Sequence, residues 1–257
     1  MMQFRSLLYR IIFFASSPFY ALVMVPLLLL GPKGGRAFGK LWTRMVFFQL
    51  RVICGITYEI KGTENIPQSG AIVAANHQSM WETFALYSFL PKPAMIMKQE
   101  LIRIPFFGWF QRPAGNIVVD RMGGAKALRK LLRDTEHAIQ DGCQVIVFPQ
   151  GTRVKPGERG KFHNGVVGIY LGANAPCFPA VHNSGDYWLY PGYHKKPGVI
   201  TLEFLPPIEA GLDRETFRPL LEDAILISAQ SDRQRGKPSS EFETQAAPPT
   251  ATASPIT

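Results

Sequence analysis

The stretch "AIVAANHQSMWE", residues 71–82, decides how the chain is read. Residues 71–75 are small or branched and apolar, the pattern of a buried strand. The run ends at Asn76-His77, so it delivers an imidazole to its carboxyl end. Ser79 and Glu82 follow as S-x-x-E, the capping box that opens a helix. Glu82 can therefore serve only the cap. It can also hold the His77 ring, because a cap places the acid beside the residues that precede the helix. A histidine partnered by a carboxylate is a general base with a fixed tautomer. The two readings are compatible.

Outward from this stretch the same alternation recurs. "ITYEI", "AMIM", "NIVVD", "CQVIVFP", "PCFPAV" and "VITLEFL" read as further strands. "SMWETFALYSFL", "GGAKALRKLLRDTEHAIQDG" and "NGVVGIYLGA" read as helices between them. In the second helix Leu128, Leu131, Leu132, Thr135 and Ile139 share one face. Strands alternating with helices predict an α/β fold: one domain with a mostly parallel central sheet flanked by helices. Such sheets bind ligands beyond the carboxyl ends of their strands. Lys98 follows "AMIM", and Arg121 follows "NIVVD". Gln150, Gly151, Thr152 and Arg153 follow "VIVFP". The rim that carries His77 and Glu82 is thus expected to carry three cationic side chains, suited to an oxyanion.

The chain has 257 residues, 46% hydrophobic and 18% charged, with a formal net charge of +9. The first sixty residues hold Arg5, Arg10, Lys33, Arg36, Lys40, Arg44 and Arg51 against Glu59 alone. Their setting is greasy: residues 11–32 carry no charge, and "MVFFQLRVICGI" follows Arg44. Apolar runs with cationic flanks point to an anionic lipid surface rather than to nucleic acid, for which no motif is present. Pro18 and Pro26 are expected to break or kink the first run. Residues 1–54 therefore read as an apolar helical hairpin lying in one leaflet. Residues 55–232 read as the α/β domain, and 233–257, rich in Pro, Ala, Thr and Ser, as a disordered tail. Cys54, Cys143 and Cys177 are widely spaced, and His137, His163, His182 and His194 show no paired spacing, so no metal site is expected.

Four blocks, "NHQSMWE", "GNIVVDR", "FPQGTR" and "APCFPAV", resemble in order and spacing those of the glycerolipid acyltransferases, in particular the bacterial 1-acyl-sn-glycerol-3-phosphate acyltransferases. The resemblance covers roughly residues 55–205. It implies an O-acyltransferase that moves an acyl chain from a thioester, on coenzyme A or acyl carrier protein, to the sn-2 hydroxyl of lysophosphatidic acid. It implies His77 and Glu82 as catalytic residues, and Lys98, Arg121, Gln150, Gly151, Thr152 and Arg153 as substrate-binding. It implies no cofactor and no metal, membrane lipids as partners, and a place at the cell inner membrane with the catalytic domain in the cytoplasm. Backbone N–H groups near Ser79 are expected to receive the oxyanion. Two residues depart from the family pattern. Glu82 stands where Asp is usual, and Gln150 where Glu is usual. A lyso-ornithine-lipid acyltransferase, an acyl-thioester or lysolipid hydrolase, and a non-catalytic membrane module are the competing readings.

Overall fold

A computed structural model describes residues 1–120 and 122–235. Arg121 lies outside the described residues, as does the expected tail from residue 236 onward. Every run read as a strand is one: β1 (Ile56–Lys61), β2 (Ala71–Ala75), β3 (Pro93–Lys98), β4 (Ile117–Val119), β5 (Gln144–Val147), β6 (Cys177–His182) and β7 (Gly198–Phe204). They form one sheet in the order β1-β7-β6-β2-β5-β3-β4. Central β2 and β5 are buried along their whole length, which is why they read as unbroken apolar runs rather than as alternating ones. All pairings are parallel except β6 with β7. The carboxyl ends of β2, β3, β4, β5 and β6 therefore share one rim, and β1 and β7 run the other way.

The N-terminus forms α1 (Met2–Val23), a 3₁₀ turn over Val25–Leu30, and α2 (Gly31–Gln49), which ends in a π-helical turn at Leu50–Cys54. Pro18 does not end α1; the reversal comes at the 3₁₀ turn, where Pro26 sits in the first positions. The amide of Gln49 donates to the Ser16 hydroxyl at 3.1 Å, tying the two helices together. Glycines let α2 lie close to the domain. A Cβ at Gly35 would sit 2.5 Å from the Ala114 nitrogen, and one at Gly39 would sit 2.4 Å from the Tyr87 ring. Tyr9, Phe13, Phe38 and Trp42 consequently share a continuous core with Val73, Trp81, Phe84 and Ile146.

Helices α3 (Trp81–Phe89), α4 (Phe107–Gln111), α5 (Gly124–Gln140) and α6 (Gly165–Ala173) follow the strands. In α5, Thr135 and Ile139 are buried as expected, but Leu128 is 47% exposed, so its buried face begins a turn later than the sequence suggests. Helix α7 (Arg214–Arg235) was not expected. It buries Phe217, Leu221 and Ile225, spaced four apart, and Phe217 stacks on Tyr170 with centroids 3.7 Å apart. Phe217→Ala is expected to lower the unfolding free energy by about 3–5 kcal/mol, the usual cost of emptying a buried aromatic site. Urea unfolding of the detergent-solubilised protein checks this; a loss near zero would mean that α7 does not hold the core closed.

Candidate active site

β2 ends at Ala75, and Asn76 clamps the next strand. Its amide donates to the His182 carbonyl at 2.8 Å and accepts from the His182 N–H at 3.1 Å. This pairing fixes the direction in which His77 leaves the sheet. The His77 ring lies against Phe148 at the end of β5, with centroids 4.3 Å apart. Its Nδ1–H donates to Glu82 Oε1 at 2.8 Å. That bond fixes the tautomer, and Nε2 has no hydrogen-bond partner among the described residues. The His77 side chain is 15% exposed, so Nε2 is the part of the ring left for a substrate.

Glu82 is completely buried. Its Oε1 also accepts from the backbone N–H groups of Gln78 (2.9 Å) and Ser79 (2.8 Å). Its Oε2 accepts from the hydroxyls of Ser79 (2.7 Å) and Ser184 (2.8 Å). The Ser79 hydroxyl in turn accepts from the Trp81 N–H at 3.0 Å. One carboxylate thus closes the helix cap and holds the imidazole. Burial alone would raise its pKa, but the neighbouring His182 and His77 and the hydrogen bonds from His77 and Ser79 outweigh it. Glu82 stays ionised well below the usual carboxylate range. These bonds also overturn one expectation. The N–H groups of Gln78, Ser79 and Trp81 are engaged within the cap, so those N–H groups do not form an oxyanion hole. The buried Ser79 hydroxyl is likewise not free to act as a nucleophile.

The β5 loop approaches from the other side. Gln150 is buried, and its amide is engaged at both ends: Oε1 accepts from the His77 N–H at 2.8 Å, and Nε2 donates to the Arg159 carbonyl at 3.2 Å. Gln150 therefore sets the His77 backbone. Gly151 turns the loop at φ +65°, and a Cβ there would lie 3.2 Å from the His163 ring. Thr152 is exposed. Arg153 returns to the site: its Nε donates to the Ser79 carbonyl at 2.8 Å, and its guanidinium lies 5.3 Å from the centre of the Tyr190 ring. The Val154 N–H donates to the His77 carbonyl at 2.8 Å and closes the frame. His77, Glu82, Gln150 and Arg153 are therefore brought together. Lys98 is exposed at the end of β3, two strands from β2 on the same rim.

Sequence reasoning missed Ser184, His182 and Tyr190. His182 is buried behind Glu82; its Nε2–H donates to the Asn76 carbonyl at 2.7 Å, and its Nδ1 accepts from the Ser184 N–H at 3.3 Å. Burial lowers its pKa despite the nearby Glu82, so the ring is neutral at pH 7. The available signal was its place at the carboxyl end of a strand, the same rule that singled out His77.

A pH dependence of stability follows from Glu82. In an unfolded chain a glutamate ionises at about pH 4.3. Native Glu82 keeps its charge to lower pH, so the unfolded chain binds the proton first and stability falls as pH drops below about 4–5. Glu82→Gln removes this component. Urea unfolding between about pH 3 and 6 should show a shallower acid-side slope in the variant than in the parent.

Beside the site lies an apolar cleft bounded by α2, α3, β3 and α4, with about 460 Å³ of space that is partly open to solvent. Thr83 and Phe84, the two residues after Glu82, line it together with Phe38, Trp42, Met95 and Phe107.

Comparison with known proteins gives a consistent picture. The Acyltransferase family model matches residues 57–183. A Pseudomonas aeruginosa protein named 1-acyl-sn-glycerol-3-phosphate acyltransferase is 37% identical over 169 residues, 66% of this chain and 66% of that one. The Escherichia coli protein of the same name is 28% identical over 216 residues, covering 82% of this chain and 85% of its own. The crystal structure of the 1-acyl-sn-glycerophosphate acyltransferase PlsC from Thermotoga maritima superposes with a TM-score of 0.76 at 22% identity, over 92% of this chain and 98% of that one.

Proposed function

This chain belongs to the acyltransferase family, and we propose that it esterifies the sn-2 hydroxyl of 1-acyl-sn-glycerol-3-phosphate with an acyl chain taken from a thioester. The observation that carries the proposal is the His77 ring, held at Nδ1 by a buried, ionised Glu82 and open at Nε2, with the Arg153 guanidinium bound to the Ser79 carbonyl two residues on. His77 Nε2 takes the proton from the acceptor hydroxyl. The oxygen attacks the thioester carbonyl, the carbon–sulfur bond breaks, and the imidazolium returns the proton to the departing thiol. Glu82 stabilises the imidazolium between the two transfers. No covalent acyl-enzyme is needed.

The nitrogens at the tip of Arg153 have no hydrogen-bond partner among the described residues, because only Nε is engaged by Ser79. They suit the acceptor phosphate, with Tyr190 holding the plane of the guanidinium. Lys98 supplies further positive charge along the rim, and the apolar cleft beside Glu82 receives an acyl chain. The donor is coenzyme A or acyl carrier protein. The acceptor and product are membrane lipids, and α1 is long and apolar enough to cross a bilayer. We place the chain at the inner membrane with its site on the cytoplasmic side, the N-terminal helices seated in one leaflet.

Assays with a labelled acyl thioester, with and without lysophosphatidic acid, test this reading. Ester that forms only with the acceptor supports it; free acid formed without acceptor would identify a hydrolase. His77→Ala should lower transfer by about 10²–10⁴-fold, the range general-base assistance supplies. Near-normal turnover in the folded variant would remove His77 from the mechanism. Arg153→Lys keeps the charge but loses the paired donors. It should raise KM for lysophosphatidic acid more than KM for the donor; the reverse order would assign Arg153 to thioester binding.

A further inference from the structure

The segment that follows β3 and runs through α4, residues 99–111, has one packed side and one bare side. Phe110 stacks on Phe38 of α2 with centroids 3.6 Å apart, and Phe107 packs at 5.5 Å from Trp42. These contacts fix the segment to the N-terminal helices. Its outer side carries Leu101, Ile104 and Trp109, which are 36%, 46% and 48% exposed. Trp109 contacts the Phe106 ring edge-on at 5.0 Å, and the other three tryptophans of the chain are buried. Phe106 has φ +64°, strained for a non-glycine residue, and the turn there directs the segment into α4. Arg103 and Arg112 lie exposed among the apolar side chains, against Glu100.

Three large apolar side chains left bare on one short segment incur a solvation cost that a soluble surface avoids. Their arrangement, an indole and two aliphatic tips flanked by arginines, suits the boundary between lipid headgroups and acyl chains. A protein partner would fit the apolar tips but give no reason for the arginine flanks; an anionic lipid surface accounts for both. Large apolar side chains are also exposed on α1, among them Ile11 and Phe14, and on the 3₁₀ turn at Leu29.

We propose that Leu101, Ile104 and Trp109 form a second bilayer contact, separate from the N-terminal helices, that seats the β3 side of the catalytic rim among anionic lipid headgroups. The segment follows Lys98, at the rim itself, so its insertion sets the height of the rim above the lipid and lets an acceptor enter sideways. That purpose rests on the proposed function; the contact does not.

The test uses the full chain reconstituted in vesicles of phosphatidylethanolamine and phosphatidylglycerol, with bromine near the glycerol end of the acyl chains. The part of the emission lost in Trp109→Phe belongs to Trp109. It should be blue-shifted, quenched by the lipid bromine and shielded from aqueous acrylamide. Emission open to acrylamide and untouched by bromine would overturn the proposal, and shielding without bromine quenching would overturn it in favour of a protein partner. This readout needs neither acyl donor nor acceptor, so it stands or falls apart from the enzymatic reading. A Leu101→Asp, Ile104→Asp double variant should lose roughly tenfold or more in turnover on vesicle-embedded acceptor, as expected for two apolar anchors withdrawn from lipid. Its turnover on detergent-dispersed acceptor should be unchanged. Equal losses in both settings would overturn the proposal.

Discussion

The site depends on a single buried carboxylate. Glu82 takes five hydrogen bonds: from the His77 ring, two backbone N–H groups and two serine hydroxyls. A buried charge without partners would be expelled or neutralised. Here the donors outweigh the burial, and the ionised form becomes the stable one. The same carboxylate thus closes the helix start and holds the His77 ring. Ser184 and Ser79 hold the far oxygen of the glutamate at 2.8 and 2.7 Å.

The same economy shows in the N-terminal helices. The N-terminal helices are not an appendage to a finished domain. Tyr9, Phe13 and Trp42 complete the core over Trp81 and Phe84, which flank Glu82 in the first turn of α3. Lys195 links α1 to the loop that carries Tyr190: its Nζ lies 4.4 Å from the Tyr9 ring and 4.3 Å from the Trp188 ring, and its backbone N–H donates to Ser6 at 2.9 Å. Burial lowers its pKa to about 8. The path from α1 to the Arg153 side chain runs through contacts within this one loop.

Much of this was legible in the residues. The sheet was readable because its strands are β-branched runs with little helical periodicity, and the rim because parallel strands deliver their carboxyl ends together. His77 and Glu82 could be paired because only five positions separate them. The partners from β6 and beyond could not, because Ser184 lies 102 residues from Glu82, and only the strand order β6-β2-β5 places it there. Gln150 reads as a lost charge in the sequence and proves to be a connector whose amide needs both its acceptor and its donor. Helix α7 was hidden by Pro219 and by charged residues between Phe217, Leu221 and Ile225, which mask a spacing of four. The N–H groups of Gln78, Ser79 and Trp81, near where the oxyanion was expected, are taken by Glu82 and Ser79.

The central claim is that Glu82 fixes the resting His77 ring with its proton on Nδ1 and Nε2 open toward the substrate. Nitrogen-15 NMR of histidine-labelled protein, with the His77 signals assigned by their loss in His77→Gln, reads this directly. In the neutral ring and without substrate, Nδ1 should give the shift of a protonated ring nitrogen and Nε2 that of an unprotonated one. Glu82→Gln should shift this balance. A proton on Nε2 in the resting parent protein would contradict the account.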